Sequence, residues 1–240
     1  MMRSARLLAV IPARLGSRRV PRKNIRDLLG RPAISYTIAA AVDSDLFDRV
    51  VVSTDAEEIA TVARSYGAEV PFLRRAALAD DHTHVSAVTA DALGRIDPDG
   101  RVTAVAQLLP NCPLRTADDV RSSYAQFAES RALSQLSVTR FGWQNPWWAS
   151  RLAPDSTLEP LFPEAMTQRS QELAELYCPT GAVWWAGADV LRREGTFHVA
   201  GRTGWVMPWH RAVDIDTEDD WLMAEQLLQL SQMHGAADVR

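Results

Sequence analysis

Apolar, β-branched runs alternate with helix-period stretches from the start of the chain to Arg140. This alternation restricts the fold more than any other feature. Residues 7–11 form a continuous apolar run, the pattern of a strand buried on both faces of a parallel sheet. Pro32 sits where the first turn of a helix accepts it, and Ile34, Ile38, Ala41 and Val42 share one helical face after it. Arg49–Ser53 is a second strand-like run, 57–66 reads as a helix stopped by Gly67, and 69–73 as a short strand. Val85–Ile96 places Val85, Val88, Ala92 and Ile96 on one helical side. Residues 102–109 and 133–139 are further strands. Between them, 116–129 reads as a helix capped by Thr116, with Asp118 and Asp119 in its first turn. Such a pattern predicts an α/β fold whose parallel sheet is covered by helices on both faces.

After residue 140 the period is lost. Residues 141–177 hold four Pro and three Trp and read as an arm inserted between strands. Residues 181–186 and 203–208 return to the sheet, and 219–233 close the chain as an amphipathic helix. A single domain over 1–240 is the simplest account, and 240 residues with 47% hydrophobic content can build its core. A net charge of -4 without long runs of one sign argues against a nucleic-acid-binding surface. No apolar run is long enough to span a bilayer. Cys112 and Cys178 lack paired ligand spacing, so neither a disulfide scaffold nor a zinc site is expected, and a cytoplasmic location fits.

The chemistry concentrates directly after the first strand, in Ile11-Pro12-Ala13-Arg14-Leu15-Gly16-Ser17-Arg18-Arg19-Val20-Pro21-Arg22-Lys23-Asn24. Ligands of parallel sheets bind beyond the carboxyl ends of the strands. Gly16 and Ser17 let backbone N–H groups approach an anion. Arg14, Arg18, Arg19, Arg22 and Lys23 crowd five cations into one loop, a repulsion that a triphosphate relieves. Lys23 is the one Lys in a chain otherwise supplied with Arg. A merely solvated basic loop is the alternative. The pattern is not that of a Walker A loop.

This segment resembles the opening loop of the CMP-sialic acid synthetases and their relatives for pseudaminic and legionaminic acids. The resemblance continues through Phe47-Asp48-Arg49-Val50-Val51-Val52-Ser53-Thr54-Asp55, Ala68-Glu69-Val70-Pro71-Phe72-Leu73-Arg74, Cys112-Pro113-Leu114-Arg115-Thr116 and Val213-Asp214-Ile215-Asp216-Thr217, in the same order. It implies a Rossmann-like nucleotidyltransferase sheet with a dimerisation arm. It implies a CTP-dependent cytidylyltransferase that transfers CMP to an acidic acceptor and releases pyrophosphate. Arg14 and Lys23 then correspond to triphosphate ligands, Asn24 and Arg74 to residues near cytosine and ribose, and Asp214 and Asp216 to a Mg²⁺ pair. Arg169 corresponds to an arm residue that reaches the partner's site in a homodimer. The residues agree for the acidic pair: Asp214 and Asp216 alternate along an extended segment, so both carboxylates face one way. The competing view makes Asp216 the acidic start of the last helix.

Other polar groups carry less. Asp55 follows a strand and stands where it could cap the next helix. Asp80, Asp81, His82 and His84 have metal-ligand chemistry, but the resemblance makes this a nucleotide-side loop. The departures from the family lie on the acceptor side. Leu109 stands where many sialic acid enzymes have Gln, Trp148 where Lys is usual, and Cys178 and Thr180 where R-P-N-G-A is common. All eight Trp residues lie between Trp143 and Trp221. Trp184, Trp185 and Trp221 read as core. Leu109, Arg115, Trp148, Arg169 and Thr180 are the expected acceptor wall. The acceptor is a nonulosonic acid sugar or a smaller acid such as a phosphonate. A catalytically inactive nucleotide-binding homologue is the reading from another class.

Overall fold

The computed structural model describes residues 6–79 and 83–237. Strand β1 (Leu7–Pro12) is buried throughout. Leu7, Ala9 and Ile11 enter one core and Leu8 and Val10 another, so alternate side chains of one strand feed two hydrophobic layers. A small antiparallel ladder, β2 (Asp27–Leu28) with β3 (Arg31–Pro32), follows the basic loop and turns through Leu29 and Gly30 at positive φ. Pro32 then leads into α1 (Ala33–Val42). Next come β4 (Arg49–Ser53), α2 (Glu57–Ser65), α3 (Val85–Ile96) and β5 (Ala104–Gln107). α4 (Ala117–Ser130) opens with a capping box between Thr116 and Asp119. β6 (Ser134–Arg140) leads into the arm, which contains the hairpin β7 (Ser150–Leu152) and β8 (Leu158–Pro160). β9 (Tyr177–Gly187), α5 (Ala188–Glu194), β10 (Thr203–Val206) and α6 (Glu218–Ala237) complete the chain.

Among the described residues the central sheet has six strands in the order β10-β6-β9-β5-β1-β4. The strands before residue 140 are parallel as expected; of the two returning strands, β10 shares their direction and β9 runs antiparallel between β5 and β6, so the sheet is mixed. The chain leaves the carboxyl end of β6, makes the arm and re-enters at that same end, which reverses β9. Residues 69–73 do not form the expected strand. They make only isolated bridges, Val51 with Glu69 and Thr54 with Leu73, along the edge of β4.

Helices cover both faces. α1, α2 and α4 bring Ile34, Ile38, Ile59, Val120 and Phe127 to one layer, where Phe47 and Phe127 stack on the fully buried Trp185. α3 and α5 supply Ala92, Leu93 and Leu191 to the other, which includes Trp184. A third, smaller core joins Val20 and Leu28 to Ile215, Trp221 and Leu228. It binds the end of the basic loop to the segment before α6, and so positions the site.

Candidate active site

The basic loop leaves β1 at the carboxyl edge of the sheet and is tied down by backbone-directed bonds. Ala13 N–H donates to Ser53 O at 2.9 Å, and Leu15 N–H to the Asp55 carboxylate at 2.9 Å. Asp55 therefore anchors the loop, and Ala56 at the N-cap of α2 supplies no side-chain bond. Asn24 is buried and its amide donates to Arg14 O at 2.8 Å, closing the loop on itself. Arg22 holds a left-handed conformation, φ 55°, ψ 26°, which costs a non-Gly residue about 1 kcal/mol or more and turns Lys23 inward.

Lys23, with a side chain 14% exposed, donates to Ile215 O and lies 3.2 Å from the Asp216 carboxylate. Arg19 pairs with the other oxygen of Asp216 at 3.0 Å. The two halves of the motif, 192 or more residues apart, thus meet across a cleft of about 380 Å³. Arg14, Gly16, Ser17, Lys23, Asn24 and Asp216 line it. Arg26 secures the junction, forking onto Glu218 at 2.7 and 2.8 Å and stacking over Trp221 at 4.3 Å. A larger hollow, about 700 Å³ between α1 and α6, is lined mainly by apolar groups such as Tyr36, Leu114 and Leu227 and does not include the basic loop.

Asp214 lies deeper. Burial, then the charge of Asp216, raises its carboxyl above the ordinary value, opposed by Lys23, the Cys112 thiol and the Gly181 N–H. A divalent cation bound at these carboxylates would offset both the burial and the like charge. Asp216 does not cap α6. That task falls to Thr217 and Asp220, whose side chains and N–H groups bond reciprocally at 2.8 and 3.2 Å.

Arg74 borders a smaller hollow of about 170 Å³ with Arg14 and Leu78. It donates to Ser53 O at 2.6 Å, its Nε is buried without a partner, and burial lowers its pKa against the pull of Asp55. Arg22 points away from the cleft to Glu58. Of the expected acceptor wall, Leu109, Arg115 and Thr180 lie together where β9 passes the residues after β5, and Trp148 and Arg169 lie in the arm. Arg115 is 3% exposed and donates to the carbonyls of Leu109 and Ala182 and to Thr37, and burial lowers its guanidinium to about 10. Thr180 is 5% exposed and bonds Ser137 at 2.9 Å. Leu109 packs on Gly181. In the arm, Trp148 donates to Ala165 O at 3.2 Å, Trp147 donates to Ala174 O at 2.9 Å, and Arg169 is exposed.

Of the acidic and histidine group at 80–84, Asp80, Asp81 and His82 lie outside the described residues. His84 caps α3 and packs edge-on against His198. Sequence reasoning passed over Asn111, whose amide bonds the Asp214 carboxylate and Ile215 O. The available signal was a polar residue just beyond an apolar strand at the carboxyl edge of the sheet.

Residues 8–100 match the family model described as Cytidylyltransferase. The chain is 33% identical over 226 residues to pseudaminic acid cytidylyltransferase of Campylobacter jejuni subsp. jejuni serotype O:2, covering 93% of this chain and 97% of that one. It is 33% identical over 230 residues to CMP-N,N'-diacetyllegionaminic acid synthase of Legionella pneumophila, covering 95% and 98%. Its fold matches that of CMP:2-keto-3-deoxy-manno-octonic acid synthetase complexed with CTP, with TM-score 0.71 and 16% identity over 95% of this chain and 100% of that one. The chain therefore belongs to the cytidylyltransferase family that includes the pseudaminic and legionaminic acid enzymes.

Proposed function

We propose that this protein transfers CMP from CTP to a nonulosonic acid and releases pyrophosphate. The observation that carries the reading is the meeting of Lys23 and Arg19 with Asp216 at one cleft, a cationic loop facing an acidic pair beyond the strand ends. Arg14, Gly16, Ser17 and Lys23 hold the triphosphate, Arg74 borders the base and ribose, and Asn24 keeps the loop closed. Asp214 and Asp216 would hold Mg²⁺, which would supply positive charge to the phosphate oxygens. The acceptor oxygen attacks the α-phosphorus in line, the bond to the β-phosphate oxygen breaks, and pyrophosphate leaves. The residues of this chain orient the two reactants and screen the charge that develops. Free thiols at Cys112 and Cys178 fit work in a reducing cytosol, and the arm fits a homodimer in which Arg169 reaches the partner's site.

A compact acid such as a phosphonate is the second reading. It is favoured because Arg115 and Thr180 spend their hydrogen bonds inside the protein and Leu109 adds none from its side chain. Polyhydroxylated sugars lose water at such a wall without compensation. The test follows pyrophosphate release with CTP, Mg²⁺ and pseudaminic acid, N-acetylneuraminate or a small phosphonate. Turnover of pseudaminic acid well above N-acetylneuraminate is the expected result, and thermal stabilisation by CTP with Mg²⁺ exceeds that by ATP. Turnover of the phosphonate alone moves the assignment to the second reading. Equal stabilisation by ATP and no turnover leave only an inactive nucleotide-binding homologue.

A further inference from the structure

Asp214 sits on a segment without regular secondary structure, between β10 and α6. A carboxylate on such a segment needs outside restraint to stay within reach of a metal and a phosphate. Part of that restraint comes from Asn111, which lies 103 residues earlier in the turn after β5. Its side-chain amide donates to Asp214 Oδ1 and, at 3.3 Å, to Ile215 O. Its own carbonyl accepts from Ile215 N–H at 2.9 Å. The Ile215 carbonyl is shared, because Lys23 Nζ donates to it as well. One amide thus ties the acidic pair to the end of the central strand β5 and, through a common acceptor, to the lysine of the basic loop.

We infer that Asn111 is a positioning residue: it holds the Asp214 carboxylate and the Ile215 carbonyl in register with Lys23, so that the cation site and the triphosphate loop are set relative to each other. The inference rests on the cation role proposed for Asp214. Two further contacts on Asp214 come from the Cys112 thiol and the Gly181 N–H, and Asn111 adds the bond to Oδ1 that limits rotation of the carboxylate. A side chain with no donor at 111 frees that rotation and also leaves an acceptor without its partner.

The experiment has two arms on the full chain, using Asn111→Leu, of similar volume without a donor, and Asn111→Ser, a shorter donor, beside Asp214→Asn. In the first arm, Mn²⁺ is titrated against each protein and binding is read from water-proton relaxation, with no turnover involved. Asn111→Leu is expected to weaken Mn²⁺ about 10- to 100-fold, and Asn111→Ser to do so less. In the second arm, kinetics with CTP are read for kcat, KM and the Mg²⁺ concentration giving half-maximal rate. The expected pattern is a lower kcat and a higher Mg²⁺ requirement, with KM for CTP within about threefold of wild type. Melting temperatures of the variants within a few degrees of wild type show that the fold persists. If Asn111→Leu does not fold, Asn111→Ser carries the comparison. Mn²⁺ affinity and Mg²⁺ requirement both unchanged, beside a clear loss in Asp214→Asn, overturn the inference and leave the proposed function standing. No Mn²⁺ binding by the wild type, or no loss in Asp214→Asn, instead overturns the cation role of Asp214 itself and the inference with it.

Discussion

Asp216 is held by two cations of the loop it faces, and on the proposed function this arrangement makes a single residue decisive for rate while leaving stability nearly untouched. Exposed pairs such as Arg19 with Asp216 contribute little to folding, about 0–1 kcal/mol. The same charges at a reacting phosphate act where charge develops, and loss of one such group costs about 10²–10³ in kcat. Asp214→Asn and Asp216→Asn are therefore each expected to lower kcat by about 10²-fold or more, with melting temperatures near wild type. Pyrophosphate release and differential scanning fluorimetry check both halves. A variant that keeps wild-type turnover removes its residue from the chemistry. Arg115 presents the reverse case: a cation expected on the acceptor wall is a buried hub, and Arg115→Leu is expected to cost stability, because the Ala182 carbonyl loses the guanidinium donor and the Leu109 carbonyl keeps only the long bonds from Thr37 and Cys112.

At the scale of elements, β9 meets β5 through a contact with no slack. A Cβ added at Gly181 would lie 2.3 Å from Leu109 Cδ1 and 3.0 Å from its Cβ. Gly181→Ala is expected to destabilise by about 1–3 kcal/mol in urea unfolding, and Leu109→Ala in the same chain to recover part of that loss, a coupling that a double-mutant cycle measures. Additive effects would show that Leu109 simply swings aside. The end of α3 offers a pH-dependent case. Asp97 accepts the N–H groups of Arg101 and Val102 at 2.8 Å each and pairs with Arg192. Burial alone would raise its carboxyl, but these bonds outweigh burial and hold it below the ordinary value of 3.8. A lowered folded pKa means that the contribution is complete above 3.8 and is lost as pH falls through the folded value. Asp97→Asn is thus expected to lower the urea midpoint at pH 7 and to converge on wild type as pH falls below 3.8. A difference that stays constant with pH would assign Asp97 a packing role only.

These elements also show how far the chain could be read before folding. β1, β4 and α3 were legible because burial imposes its period on neighbouring residues. The direction of β9 was not, since an apolar run carries no sign of which way it enters a sheet. α5, seven residues between two strand signals, was too short to establish a period. In the site, the basic loop and Asp214 with Asp216 were legible as motifs. Arg115, Thr180 and Asn111 were not, because each takes its environment from partners roughly 40 to 100 residues away, which local pattern does not encode.

The whole molecule raises the question of what its arm is for. Trp147 and Trp148 spend their indole N–H groups on Ala174 O and Ala165 O, and Trp147 packs against Phe162 at 5.1 Å, so these residues fold the arm on itself. Beside exposed charges such as Arg151, Glu159 and Glu164 it turns three large apolar side chains outward: Trp143 is 87% exposed, Leu152 70% and Leu158 66%. An apolar surface of this kind is costly in water and fits a self-complementary contact around a two-fold axis. Light scattering at micromolar concentration is expected to give twice the mass of the chain, and Leu152→Glu with Leu158→Glu to give a folded monomer. If the dimer also brings Arg169 into the partner's site, two inactive variants can complement each other. In a mixture of Arg169→Ala and Asp214→Asn subunits, half of the dimers are hybrids. One of the two sites in each hybrid then has its own Asp214 and an intact Arg169 from the other subunit. Activity is expected to recover to about a quarter of wild type once subunits exchange. If Arg169 serves its own site, both sites of the hybrid remain defective and mixing restores nothing.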